Sequence, residues 1–248
     1  MDVFILGGTG NAGRALIKMA LEDGHLVTAY IRNRAKFEAA FPDAPDALQV
    51  VEGEISDTTL LRRAMQGHDV VINAAGNANG GPSYQPFVAN IIAVAQDALP
   101  SGARFWLFGG AAVLIVPGAD FTMLRFRQVP KIFQAHGENL ERIEQTNLDW
   151  SMMCPGPMVS SENGQPHEGL RISRNDWPVV RPPFTKFLPK INVLVAFVRK
   201  VPEMTITYED AARVILDHLE PDGPFSKARV GVALPVGKKL NKKSVQNA

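Results

Sequence analysis

"VFILGGTGNAGRALIKMALEDGHLVTAYIRNR", residues 3–34, decides the fold. Val3–Leu6 is a short apolar run stopped by Gly7 and Gly8, the pattern of a strand buried on both faces of a parallel sheet. From Asn11 to Asp23, residues Ala12, Ala15, Leu16, Met19 and Ala20 recur at spacings of three and four. That spacing predicts a helix, with Gly24 placed to cap its C-terminus. "LVTAYI", 26–31, predicts a second strand. Between the first strand and the helix, Gly7, Gly10 and Gly13 form G-x-x-G-x-x-G. In that context Gly7 allows a tight turn, Gly10 lets a pyrophosphate reach the backbone, and Gly13 lets the helix lie close on the strand. The helix N-terminus adds unpaired N–H groups and the positive end of a dipole. Strand, glycine loop, helix and strand in that order predict a dinucleotide site.

The alternation continues. "LQVVEGEI", 48–55, predicts a third strand, and Asp57 a cap for the helix "TTLLRRAMQG". "DVVINAAG", 69–76, and "ARFWLFGG", 103–110, predict the fourth and fifth strands. "QAHGENLERIEQTN", 134–147, predicts a helix with Ala135, Leu140 and Ile143 inward, and "WSMMCPG", 150–156, a sixth strand. The fold class that follows is α/β, a Rossmann-type doubly wound parallel sheet with right-handed crossovers. From Val159 to Thr205 the chain turns proline-rich and polar, which predicts a small C-terminal substrate-covering region. Trp177, Phe184, Phe187 and Leu188 are its candidate lining, with "INVLVAFVRKV" a helix beneath. "TITYEDAARVILDHLE" predicts a helix beginning at Asp210, and "KARVGVAL" a last strand. The expected division is 1–158 as nucleotide-binding core, 159–205 as lid, and 206–248 as the helix and strand that complete the core, with a basic tail.

Composition narrows the function. The net charge of the 248 residues is +1, so neither nucleic acid nor an anionic membrane is an expected partner. No apolar run approaches the roughly 20 residues of a membrane span, and "INVLVAFV" is the longest. The start of the chain lacks the basic, then long apolar pattern of a secretory signal. With Cys154 as the single cysteine, an internal disulfide is excluded and a cytoplasmic place is expected. Five histidines and one cysteine show no metal-ligand spacing, so no metal is expected.

At the end of the second strand, an NAD site usually carries Asp or Glu for the ribose 2′-hydroxyl. Here the chain reads Ile31-Arg32-Asn33-Arg34, with no acid close in sequence. Arg32 can fork onto a 2′-phosphate and Arg34 adds charge, so NADPH is expected over NADH.

With these pieces in place, the chain resembles the atypical short-chain dehydrogenase/reductases of the NAD(P)H-binding, NmrA-like group, which includes flavin-reductase-like and biliverdin-reductase-B-like proteins. The resemblance rests on "GGTGNAG" (7–13), "IRNR" (31–34), "EGEISDTTLLRRAMQGHDVVINAAG" (52–76), "FWLFGGAAVLIVPG" (105–118), "NLDWSMMCPGPMV" (147–159) and "ITYEDAARVILDHLE" (206–220). It implies that Thr9, Gly10, Asn11 and Ala12 line the pyrophosphate and that Arg32 meets the 2′-phosphate. Glu54 and Ile55 would lie beside the adenine, and Ala74, Ala75 and Gly76 under the adenosine ribose. Phe108, Gly109 and Gly110 would lie near the nicotinamide, with Pro155, Gly156 and Met158 packed against it.

The usual catalytic machinery of that group is missing. A short-chain reductase uses Tyr-x-x-x-Lys to deliver a proton and a serine to orient the carbonyl. The three tyrosines, Tyr30, Tyr84 and Tyr208, are followed four residues on by Arg34, Val88 and Ala212. By the resemblance the serine position is Gly110. His136, whose ordinary pKa near 6.5 suits proton donation, and Tyr84, after the loop "GNANGGPS", are the candidate substitutes. Arg125 and Arg127 could hold an anionic substrate or face water. The resulting expectation is an NADPH-dependent reductase of a small aromatic, flavin, quinone or carbonyl acceptor. An NADPH-binding sensor with little turnover, or a non-redox enzyme on the same fold, are the alternatives. The residues leave monomer and homodimer equally open.

Overall fold

The computed structural model describes residues 1–76, 84–130, 133–180 and 190–240, with the backbone alone at 84–85 and 190–192. The described residues form ten strands: β1 (Asp2–Leu6), β2 (Leu26–Ile31), β3 (Leu48–Glu52), β4 (Val70–Asn73), β5 (Arg104–Phe108), β6 (Asp149–Cys154), β7 (Met158–Val159), β8 (Arg171–Arg174), β9 (Ile206–Thr207) and β10 (Ala228–Ala233). The helices are α1 (Asn11–Glu22), α2 (Arg34–Ala40), α3 (Thr58–Met65), α4 (Tyr84–Ala98), α5 (Gln134–Glu144), α6 (Lys190–Met204) and α7 (Tyr208–Leu216). Eight strands make one sheet in the order β3-β2-β1-β4-β5-β6-β10-β8. All pairings in it are parallel except β10 with β8. The expected doubly wound α/β sheet is therefore the observed one.

The central strands read as continuous apolar runs because helices cover both faces. Successive residues feed opposite cores. Phe4, Leu6, Tyr30, Phe105, Leu107 and Met152 join α3, α4 and α5 on one side. Val3, Ile5, Ala29, Trp106 and Met153 join α1 and α7 on the other. The order reverses between β1 and β4, and that point opens a crevice beyond the C-terminal ends of the strands.

Several elements differ from expectation. The third strand stops at Glu52 and does not reach Ile55; at Gly53 the Tyr30 hydroxyl leaves no room for a side chain. Asp57 does cap α3, accepting from the Leu60 N–H at 3.0 Å. The last helix starts at Tyr208, not Asp210. Thr207 is its N-cap and Asp210 the third residue of a capping box, so each side chain satisfies the other's backbone N–H. On α5 the inward row is His136, Asn139, Leu140 and Ile143, with Ala135 only half-buried. Other elements were not expected at all: α2, capped by Asn33; α4; the two-residue strands β7 and β9; and β8, which places part of the 159–205 stretch at the edge of the main sheet. Phe184, Phe187 and Leu188 lie outside the described residues. No helix among the described residues is long and apolar enough to cross a membrane.

A buried cation locks the lower half of the sheet. Arg104 in β5 is 1% exposed. It donates to the Asp149 carbonyl at 3.1 Å and to the His218 carbonyl at 3.1 and 3.3 Å, and lies 3.5 Å from the Asp149 carboxylate. Trp106 Nε1 donates to the same His218 carbonyl at 3.2 Å, and the guanidinium sits 4.8 Å over the Trp106 ring. Burial pulls its pKa down to about 10, so it stays charged at neutral pH. Arg104→Ala strands the Asp149 charge in the interior, and urea unfolding of this variant is expected to show a loss of about 3–5 kcal/mol.

Candidate functional site

The glycine loop is built as its spacing predicts. Gly7 has φ +85°, a region that disfavours any side chain, and a Cβ there would lie 2.7 Å from the backbone of Ala75. The loop thus meets the end of β4, where Asn73 Oδ1 accepts from the Ala75 N–H at 3.0 Å. A Cβ at Gly13 would collide with the Gly7 carbonyl oxygen, so α1 can approach β1 only with glycine there. Gly10 is exposed and is the N-cap of α1, yet no side chain caps that helix. Its first-turn N–H groups therefore face the crevice with no side-chain acceptor over them, and this arrangement fits a phosphate. Thr9 and Ala12 are half-buried beside it, and Asn11 is exposed with Oδ1 accepting from Arg14 at 2.7 Å.

The end of β2 carries a correction. An acid does lie near the two arginines, supplied by the neighbouring strand. Ile31 pairs with Glu52, and Glu52 accepts from the backbone N–H of Arg34 at 3.0 Å. The Arg34 guanidinium lies 3.6 Å from Glu52 and 3.9 Å from Glu38. Its charge is committed locally and is not simply added to that of Arg32. Among the described residues Arg32 has no ion-pair partner, and it is exposed at the mouth of the crevice. Glu54 is exposed with its carbonyl accepting from Tyr30 at 3.0 Å, and Ile55 is buried with its carbonyl accepting from Asn90 at 2.9 Å. Asn90 belongs to α4, so its role had no local signal in sequence.

Beyond β4, Ala74 and Ala75 are half-buried and Gly76 is exposed with φ +125°. At the other end of the crevice, Gly109 donates to Met153 at 2.7 Å and Ala111 to Pro155 at 2.8 Å. These bonds carry the β5–β6 ladder past the strand ends and bring Phe108–Gly110 together with Pro155 and Gly156. Gly156 donates to Met204 at 3.1 Å, and a Cβ there would lie 2.6 Å from the same oxygen. Met158 is half-buried in β7. Gly7, Gly76, Gly109 and Gly156 thus line one edge of the sheet.

His136 is where the structure departs most from the sequence reading. It lies on the inward face of α5. The ring is 3% exposed, and burial drives its pKa down to about 4, so it is neutral at pH 7 and is no imidazolium acid. Its Cδ2 and Nε2 would stand 3.2 and 3.3 Å from a Cβ at Gly110. Phe133 stacks on it with centroids 6.2 Å apart. The side chain of Tyr84 lies outside what is described; its backbone begins α4. Arg125 and Arg127 are exposed, and Arg125 rests 4.4 Å over the Phe121 ring. Trp177 is buried against Phe197 at 5.0 Å. Cys154 is 1% exposed, and burial pushes its thiol up to about 12, which leaves it protonated and inert. Asn139, one turn beyond His136, is fully buried, and neither polar atom of its side chain has a hydrogen-bond partner. The sequence pattern gave no reason to single it out.

Residues 7–169 match the family model described as NAD(P)H-binding. The chain is 29% identical over 162 residues to the protein YwnB of Bacillus subtilis, which takes in 62% of this chain and 71% of YwnB. It is 26% identical over 242 residues to the oxidoreductase ptaF of Pestalotiopsis fici, covering 92% of this chain and 83% of that one. Among solved structures, a short-chain dehydrogenase/reductase of Veillonella parvula in complex with NADP superposes with a TM-score of 0.68, at 16% identity and 96% coverage of both chains.

The depressed pKa of His136 has a thermodynamic consequence. Between about pH 6.5 and 4 the unfolded chain takes up a proton that the folded ring excludes. Stability is therefore intact above pH 6.5 and falls as pH drops through that window, by up to about 3 kcal/mol for this group. Urea unfolding at pH 5 and 7.5 is expected to show a smaller loss at pH 5 for His136→Phe than for wild type.

Proposed function

The chain belongs to the NAD(P)H-binding family, on a fold shared with short-chain dehydrogenase/reductases, and from that premise we propose an NADPH-dependent reductase of a small, flat acceptor of flavin, quinone or aromatic carbonyl type. Thr9, Gly10, Asn11, Ala12 and the N-terminus of α1 hold the pyrophosphate in this reading, with Gly7 and Gly13 shaping the loop. Arg32 holds the 2′-phosphate, and Arg34 braces that turn through Glu52. Glu54 and Ile55 flank the adenine, and Ala74–Gly76 the ribose. Phe108, Gly109, Gly110, Pro155, Gly156 and Met158 bound the nicotinamide. When bound, the reduced dinucleotide supplies hydride. The protein's own residues position the partners and keep water from the nicotinamide end.

The observation that carries the cofactor choice is the division between the two arginines. Arg34 is drawn to Glu52 and Glu38, while Arg32 is left as a cation at the crevice mouth. A planar guanidinium there favours a phosphate over a ribose hydroxyl. The acceptor class follows from Gly110 and the lack of Tyr-x-x-x-Lys. Acceptors whose own electronics take up hydride need no strong protein acid, and water can complete the protonation. The same lack also supports a second reading, a dinucleotide-responsive regulator that turns over little. A cytoplasmic place and a small-molecule partner belong to the first reading.

Fluorescence titration is expected to show tighter binding of NADPH than NADH. Arg32→Glu should weaken NADPH by about 10- to 100-fold, the loss of a charge-assisted hydrogen bond, and spare NADH. Equal affinities in the wild type would remove the basis for NADPH. Following NADPH absorbance against flavins, quinones and aromatic aldehydes then separates the readings, since a regulator binds NADPH and reduces none of them.

A further inference from the structure

A cavity lies at the edge of the sheet opposite the dinucleotide crevice. Helix α3 starts beyond the C-terminal end of β3, runs back along the sheet and stops at Met65. Past its last turn a cavity of about 320 Å³ opens over the N-terminal ends of β2 and β3. Clefts that bind small molecules start at roughly 300 Å³, so this one suits a small ligand. Its floor comes from the strands. Thr28 pairs with Phe4 in β1 and with Gln49 in β3, and Phe4 belongs to the core on the α3 side, so Thr28 and Gln49 face α3. Thr28 is only 7% exposed, and its hydroxyl has no hydrogen-bond partner among the described residues. The residue lines the cavity, which is where that hydroxyl can find one. Leu26, 58% exposed, and the half-buried Val51 and Ala64 give the same space an apolar side.

Two opposite charges line this cavity without being committed elsewhere. Arg63 stands in the last turn of α3 and Asp46 in the turn before β3. Among the described residues neither has an ion-pair or hydrogen-bond partner, and they do not pair with each other. The charges around them are engaged. Arg62 donates to Asp97 at 2.9 Å, Asp69 accepts from the Asp2 N–H at 2.8 Å, and the Asp2 carboxylate lies 3.7 Å from His68 Nε2.

We propose that this cavity binds a small α-amino acid with an apolar side chain. The Arg63 guanidinium takes the carboxylate through two parallel N–H donors, and Asp46 takes the ammonium. The Thr28 hydroxyl and the Gln49 amide complete the polar contacts, while Leu26, Val51 and Ala64 shelter the side chain. Selection comes from the combination. One uncommitted cation and one uncommitted anion in one cavity match a zwitterion, whereas a ligand of single charge answers only one of them. Both charges stand near water, which holds the affinity to the modest range of an effector. The site shares no residue with the dinucleotide crevice, and the inference stands apart from the reductase reading.

The test is isothermal titration of the full chain with L-leucine, which is expected to bind one-to-one with a Kd of about 1 mM or tighter. Two analogues dissect the contacts: 4-methylpentanoate lacks the ammonium and 3-methylbutylamine lacks the carboxylate. Each should bind about 10-fold more weakly or worse, the scale of losing a hydrogen bond to a charged group. Arg63→Gln and Asp46→Asn should each weaken leucine by a similar factor, and Thr28→Val by about 3-fold, the scale of a neutral hydrogen bond. No saturable binding of leucine up to about ten times the expected Kd overturns the inference. So does either analogue binding as tightly as leucine, because the cavity then does not read a zwitterion. Undiminished binding by both Arg63→Gln and Asp46→Asn overturns it too, since the ligand then sits elsewhere. The analogue comparison needs the wild type alone, so it decides even where a variant fails to fold.

Discussion

Helix α1 lies against β1 only because position 13 carries no side chain, and the rest of the nucleotide cleft follows from that contact. A Cβ at Gly13 would collide with the carbonyl oxygen of Gly7. Any residue but glycine would push the helix outward and take its first-turn N–H groups away from the crevice. The same Gly7 is pressed from the other side by the Ala74–Ala75 backbone. One tight turn therefore sets three things together: the angle of the helix dipole, the closeness of β4, and the width of the crevice at the point where the strand order reverses. Burial across two cores stabilises the sheet, but this contact fixes what the sheet's edge presents.

The far end of the crevice repeats the principle with different partners. Gly109 is crowded by Met152 Sδ at 2.6 Å, Gly110 by His136, and Gly156 by the Met204 carbonyl. Each missing side chain lets another element come in: β6, α5 and the end of α6 respectively. The crevice beside β1 is thus shaped by turn geometry, and the part beyond β5 and β6 by close approach of later elements.

Local patterning carried much of this information. Val3–Leu6, the helix to Asp23 and "LVTAYI" are legible because their periodicity and glycine stops are contiguous, and the observed α1 and β2 differ from expectation by at most a residue. What escaped was non-local or atypical. Glu52 reaches Arg34 through a strand pairing that linear spacing does not reveal. Helix α2 buries only Phe37, so it has no apolar stripe to read. Strand β8 alternates half-buried and exposed residues at a sheet edge, inside a stretch whose prolines and polar residues suggested a loop. The burial of His136 had no local signal either: it faces Phe133 and Gly110, residues of the turn before α5 and of the end of β5.

The two polar groups that matter most here differ in how the fold treats charge. At the end of β2, charge is kept near water. Arg32 is exposed, and Arg34 is satisfied by carboxylates that are themselves about half exposed, so the local field is modest and sensitive to salt. Such a site selects a ligand by the number and geometry of charge-assisted hydrogen bonds. Beyond β5 and β6, burial keeps His136 neutral and holds Cys154 as a thiol. A dry interior strengthens any polar contact made there. Exposed charge and buried neutral groups are thereby separated along one sheet edge, joined by the parallel strands from β2 through β1, β4 and β5 to β6.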